Sequence, residues 1–189
     1  MTELVLEDLI EQCKTGERKA QRELYEHTYA KLLNASLRYT PGKEEAQWVF
    51  NHAMLKVFAS LENYQKNTNY LAWARTIIIK TSIDYLRKRI REDKMVVPIE
   101  AYNQEMAGDE INDVLSQLET EAIIGLVQNL PDKERLVFSL YEIDGYSHVD
   151  IERECNINQN TSKWLLAKAK KELRKRVSEM YQLKKSANE

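Results

Sequence analysis

The chain has 189 residues, room for one large domain or two small ones, with 43% hydrophobic and 31% charged residues and a formal net charge of −2. Two distant cysteines and three scattered histidines exclude a disulfide framework and a zinc site, and each cysteine falls on an apolar helical face as a buried thiol. No apolar run approaches the ~20 residues of a membrane span, and acids in "MTELVLEDL" replace a signal peptide's lysines, so the sequence reads as cytoplasmic.

Only five Gly and three Pro occur, which makes long helices the default and an all-α fold the expectation. "LVLEDLIEQC" places Leu6, Leu9, Ile10 and Cys13 on one helical face, and Gly16 marks its end. From Glu17 to about Tyr39, a second helix carries Ala20, Leu24, Thr28, Leu32 and Ser36 at a four-residue step. After the break at "TPGKEE", a third repeats Ala46, Val49, Phe50, Ala53, Met54, Val57, Phe58 and Leu61. The polar, aromatic loop "ENYQKNTNY" leads to a fourth helix with Trp73, Ile77, Ile78, Thr81 and Tyr85 inward, ending in the basic "RKRIR".

Between Asp93 and Ser116 the periodicity fades into an acidic linker holding Pro98 and Gly108. The organisation is therefore two small helical domains, 1–92 and 117–189, joined by a linker over 93–116. In the second domain Leu118, Ala122, Leu126 and Leu130 share a stripe. Pro131 suits the first turn of a helix running through Leu136, Val137, Leu140 and Ile143 to Gly145. Ser147 and Asp150 make a capping-box start for a short helix with Val149, Ile151 and Cys155. Asn156 can end it in the left-handed conformation, and Asn158 can cap the next, whose inward stripe is Leu166, Ala169, Leu173 and Val177.

Two short helices joined by a tight corner form a helix-turn-helix, whose second helix can enter a DNA major groove. From Lys163 to Arg176 seven basic residues face one acid, Glu172, a local net of +6 that suits phosphates. A solvated helix end complementing its dipole is the bland alternative, and the capped corner tips the balance toward DNA.

The stretch from "LPDKERLVFSLYEIDGYSHVDI" through "TSKWLLAKAKKELRKRV" resembles region 4 of bacterial RNA polymerase sigma factors. "AQRELYEHTYAKLL", "EEAQWVFNHAMLKVFASLENY" and "YLAWARTIIIKTSIDYLRKR" resemble region 2 of the same family. With only these two regions, the chain is similar to the small extracytoplasmic-function class.

The resemblance implies a set of surfaces. Glu45, Trp48, Asn51, His52 and Lys56 would dock on the clamp helices of the polymerase β′ subunit. Tyr64, Lys66, Asn67 and Tyr70 in the loop would hold melted −10 bases, since aromatic faces beside cations catch unstacked bases without strict readout. Of the aromatics, Tyr64 and Tyr70 are the readier stackers, with Trp73 in the core. Lys80, Thr81, Asp84, Arg87 and Lys88 would continue that surface along the fourth helix. In region 4, Thr161, Ser162, Lys163, Leu165 and Lys168 would read the −35 element, with Lys170 and Lys171 on phosphates. The first helices of region 4 would hold the polymerase β flap, and the acidic linker would thread the RNA exit channel. An anti-sigma protein is the further implied partner, and no cofactor is.

The sequence departs from the family pattern at Trp48, Asn51 and His52, at Glu152 where a small residue is usual, at Lys80 in place of an asparagine, and at Leu165 in place of arginine or glutamine. Leu165 could make only apolar contact, for instance with a thymine methyl. Trp48, Glu152 and Leu165 motivate an alternative: a sigma-like interaction protein that binds polymerase or a regulator without initiating transcription. Without a Gly-rich phosphate loop, metal-spaced cluster or nucleophile motif, the chain does not read as an enzyme.

Overall fold

Scarce breakers do produce long helices. A computed structural model describes residues 3–66, 68–92 and 120–186, which form eight α-helices with no strand among them. These are α1 (Glu3–Lys14), α2 (Arg18–Leu37), α3 (Lys43–Ala59), α4 (Tyr70–Glu92), α5 (Thr120–Gln128), α6 (Asp132–Phe138), α7 (His148–Cys155) and α8 (Gln159–Ser186). A single 3₁₀ turn, Leu61–Asn63, follows α3, and α6 runs on into a π-turn over Ser139–Ile143. The chain divides into two compact units, Met1–Tyr85 and Leu86–Glu189. The linker over 93–116 and the stripe position Leu118 lie outside the described residues.

In the first unit α2 packs against both α1 and α3. Gly16, at φ +83, ends α1 in the left-handed region that a side chain would strain, and its N–H donates to the Cys13 carbonyl at 3.1 Å. All five expected α2 stripe positions are buried, as are Ala46, Val49, Phe50, Ala53, Met54 and Val57 of α3. Thr28 is a polar member of this core, and it is satisfied: its hydroxyl donates to the Leu24 carbonyl at 2.6 Å and meets the Tyr70 hydroxyl at 2.9 Å. Both cysteines are buried free thiols, and burial pushes Cys13 up to about 11, so it has little thiolate character.

Three expected stripes sit elsewhere on their helices. On α4, Ile78 and Thr81 are buried, but Trp73, Ile77 and Tyr85 are half-buried while Ala74, Ile79, Ser82 and Ile83 turn inward. Its apolar residues cover more than one face, so periodicity alone did not select the rotation. On α5, Ile124 and Val127 are inward in place of Ala122 and Leu126, because consecutive apolar residues in "AIIGLV" offer two competing stripes, while Leu130 just beyond the helix is buried as expected. On α7, Val149 is 56% exposed while Ile151 and Cys155 are buried. Positions two apart on a helix point about 200° apart, so Val149 and Ile151 cannot share a face.

In the second unit α6 and α7 both pack on α8. Arg135 is 1% exposed, donating to the Gln128 carbonyl at 2.9 Å and pairing with Asp132, which clips the end of α5 to the start of α6. Leu166, Ala169, Leu173 and Val177 form the expected inward stripe of α8.

Candidate nucleic-acid interface

The corner between α7 and α8 is built from short-range hydrogen bonds. The Asp150 N–H donates to the Ser147 hydroxyl oxygen at 3.1 Å, while the Ser147 N–H and hydroxyl donate to the Asp150 carboxylate at 3.1 and 2.6 Å. Those bonds hold the Asp150 carboxyl below the usual carboxylate range. Asn156 adopts φ 56, ψ 37, and its N–H returns to the Glu152 carbonyl at 2.9 Å. Asn158 then caps α8, accepting the Thr161 N–H on its side chain at 2.8 Å. Glu152, the residue at the usually small position, points sideways and accepts a bond from the Gln159 side chain at 2.8 Å, joining the two helices.

His148 locks the same corner from inside. Its Nδ1 lies 2.8 Å from the Ser162 hydroxyl, and its ring stacks on Tyr141 at 4.4 Å. Burial, reinforced by the positive charge of Lys163, lowers its pKa below the ordinary histidine value.

This geometry corrects part of the expected reading surface of α8. Ser162 is fully buried against His148, and Leu165 is 1% exposed, packed with the core stripe, so neither can touch a base. Leu165 is therefore a core residue and leaves the expected reading set. Lys170 is nearly enclosed and pairs with Glu142 at 2.8 Å, so it is not a phosphate contact. Lys168 keeps 53% side-chain exposure but is held at 2.5 Å by the buried carboxylate of Glu134. Thr161 is half-buried, and Lys163 and Lys171 are exposed with no acidic partner among the described residues.

The face of α8 opposite its buried stripe carries Asn160, Trp164, Lys168, Lys171 and Lys175. Trp164, absent from the expected set, lies at its centre, half-buried, with the Lys168 ammonium 5.1 Å from the ring centroid. The inward stripe Leu166–Ala169–Leu173–Val177 carried the signal: Trp164 sits about 160° from Leu166 around the helix.

In the first unit the loop aromatics are structural. Tyr64 is 6% and Tyr70 2% exposed, so neither offers a ring face to a base, contrary to expectation. Their rings meet edge-on at 5.9 Å, and the Tyr64 hydroxyl donates to the Thr68 carbonyl inside the loop. Burial pushes the Tyr70 hydroxyl up to about 12. Trp73, placed in the core by its periodicity, is instead the half-exposed member of this cluster, 5.4 Å from Tyr64 and 6.0 Å from Tyr70. Thr81 is 5% exposed and donates to the Ile77 carbonyl at 2.8 Å, so it too leaves the candidate surface. Lys66 is exposed and lies 3.5 Å from Glu11, while Asn67 falls outside the described residues.

Trp73, Lys80 and Arg87 follow one face of α4 at seven-residue steps, about 10 Å apart along the axis. Lys80 and Lys88 are exposed, Arg87 is half-buried, and Asp84 lies 4.0 Å from Lys56 of α3.

The outer face of α3 sets two large apolar side chains among polar ones. Trp48 is 57% and Leu55 66% exposed, with His52 stacked on Trp48 at 5.2 Å and Tyr85 tilted against it at 5.9 Å. Leu55 was missing from the expected docking set, although its seven-residue step from Trp48 marks it. Glu45 is half-buried and Lys56 exposed on the flanks. Asn51 is exposed but accepts a bond from the Tyr25 hydroxyl at 2.7 Å, closing one side of a shallow cleft with Tyr29 and Gln47.

Two family models match separate stretches of this chain. The family model for sigma-70 region 2 matches residues 24–92, and that for sigma-70 region 4 matches residues 120–173. The chain is 28% identical over 154 residues to the ECF RNA polymerase sigma-E factor of Escherichia coli K12, covering 76% of this chain and 78% of that protein. It is 24% identical over 193 residues to the ECF RNA polymerase sigma factor SigW of Bacillus subtilis 168, covering 94% and 100%. The sigma-E factor of Salmonella typhimurium LT2 is 27% identical over 154 residues.

Proposed function

Because the chain belongs to the sigma-70 family and is an RNA polymerase sigma factor of the extracytoplasmic-function class, we propose how its surfaces divide the work of initiation. Residues 1–92 act as region 2. There the outer face of α3, with Trp48, His52 and Leu55 at its centre and Glu45 and Lys56 at its edges, docks on the β′ clamp helices of core polymerase. An exposed tryptophan among polar neighbours is the usual composition of an interface hot spot. The α4 face carrying Trp73, Lys80, Arg87 and Lys88 holds the −10 element, with Lys66 at the loop. Here Trp73 takes the stacking role that the buried tyrosines cannot.

Residues 117–189 act as region 4, with 93–116 as the acidic linker. Trp164, Lys163, Lys168 and Lys171 face the −35 element, and α5 and α6 meet the β flap. The protein works in the cytoplasm beside its polymerase as a non-catalytic subunit, and an anti-sigma protein holds it inactive by covering the α3 face. Among the described residues no helix is long and apolar enough to cross a membrane.

The observation that carries the reading is the outer face of α8, where lysines recur along a helix that leaves a hydrogen-bonded corner. The test is a pull-down of core RNA polymerase followed by run-off transcription from a promoter library. Core binding with discrete starts supports the assignment; core binding without starts refutes the DNA-reading role, and no binding refutes the docking role of α3.

A further inference from the structure

On the proposed reading helix the small set of groups able to touch a base edge is narrow. The N-terminal residues of such a helix face bases, whereas later ones meet phosphates. Within the first two turns of α8, Ser162 and Leu165 are buried, and Lys168, in the turn after them, is held by Glu134. Trp164 is the one large side chain at the centre of the exposed face there, with the Lys168 ammonium 5.1 Å from its ring centroid.

The chemistry of the indole then limits what it can read. Its ring N–H is a donor with no acceptor, and the rest of the ring is apolar. In the major groove, cytosine and adenine present amino donors, and guanine presents two acceptors with no apolar group. Thymine alone pairs an acceptor, O4, with a methyl group. We infer that Trp164 is a specificity-determining residue of this protein, selecting thymine at one position of the upstream promoter element through the C5 methyl. This rests on the reading of α8 as the promoter-reading helix.

The experiment uses the full chain in reconstituted holoenzyme on a promoter taken from the run-off selection. Each thymine of the upstream element is replaced in turn by deoxyuridine, which removes only the methyl. One position should cost wild-type holoenzyme about fourfold in promoter affinity, the factor for roughly 0.8 kcal/mol per buried methyl-sized group. Trp164→Ala should bind thymine and deoxyuridine there equally, and Trp164→Phe, which keeps an apolar ring, should keep part of the difference. Lys171→Ala should weaken all duplexes alike, with a shallower salt dependence, and retain the fourfold difference.

The inference falls if wild-type holoenzyme is indifferent to deoxyuridine at every upstream thymine, or if the selected element contains none. It falls equally if Trp164→Ala keeps the wild-type sensitivity. Discrete starts with silent deoxyuridine would overturn this inference alone, whereas no starts from wild-type holoenzyme would overturn the initiation role and this with it. Should the alanine variant fail to fold, wild-type indifference still overturns the inference, and an undiminished fourfold difference in Trp164→Phe does so as well.

Discussion

Replacing Lys168 by alanine should damage the fold of the second unit as well as its charge. The carboxylate of Glu134 is 6% exposed and its partner ammonium lies 2.5 Å away. At an effective dielectric of 20, opposite charges about 4 Å apart attract by roughly 4 kcal/mol, but removing the carboxylate from water opposes most of this. Water can enter where the half-exposed lysine stood, so the stranded carboxylate regains part of its solvation. The net loss for Lys168→Ala should therefore be about 1–3 kcal/mol. Glu134→Gln removes the charge and keeps the shape, so adding Lys168→Ala to it should cost much less. The cycle should yield about 1–2 kcal/mol of coupling. Amide hydrogen exchange resolved on α6 and α8 reads the opening free energy of this unit by itself. Coupling near zero, or a Lys168→Ala unit as stable as wild type, would refute the argument that Glu134 holds Lys168 in place. The cycle also bears on function, because a loss of promoter binding in Lys168→Ala means lost phosphate contact only if Glu134→Gln/Lys168→Ala loses it equally.

Three further outcomes are expected. Leu165→Ala should destabilise the second unit by about 2–4 kcal/mol, as a cavity in a packed core does; exchange at α8 checks it, and a stable variant with altered promoter choice would return Leu165 to the DNA surface. Trp48→Ala and Leu55→Ala should each weaken core polymerase binding by about tenfold or more with little change in thermal unfolding, measured by fluorescence titration. The fold favours neutral His148, so the second unit should lose stability as pH falls below the ordinary histidine value of 6.5, levelling off below its lower folded value; His148→Gln, followed by exchange on α7 and α8, should lack that slope.

Features that depend on neighbours within four residues were legible in the sequence. The Ser147–Asp150 capping box, the left-handed Asn156 and the Asn158 cap are each made by contacts inside one turn, so residue type and spacing suffice to write the corner. The stripes of α2, α3 and α8 were legible for the same reason, since each helix has one clearly apolar face.

The functional surface was less legible where a residue's exposure depends on a partner far along the chain. Tyr64 and Tyr70 have the chemistry of base-stacking residues, but Thr28, forty-two positions away from Tyr70, and the rest of the aromatic cluster claim them. Ser162 belongs to His148, and Lys168 and Lys170 belong to Glu134 and Glu142 on the α6 segment. A charge count treats the seven basic residues from Lys163 to Arg176 alike, since distant acids do not enter it. Sequence by itself determined the helices, their caps and the corner that aims α8. Only tertiary packing decided that Trp164 and Trp73 show a face while Leu165, Ser162, Tyr64 and Tyr70 do not, because an amphipathic side chain at a stripe's edge is buried or exposed by whichever distant element reaches it first.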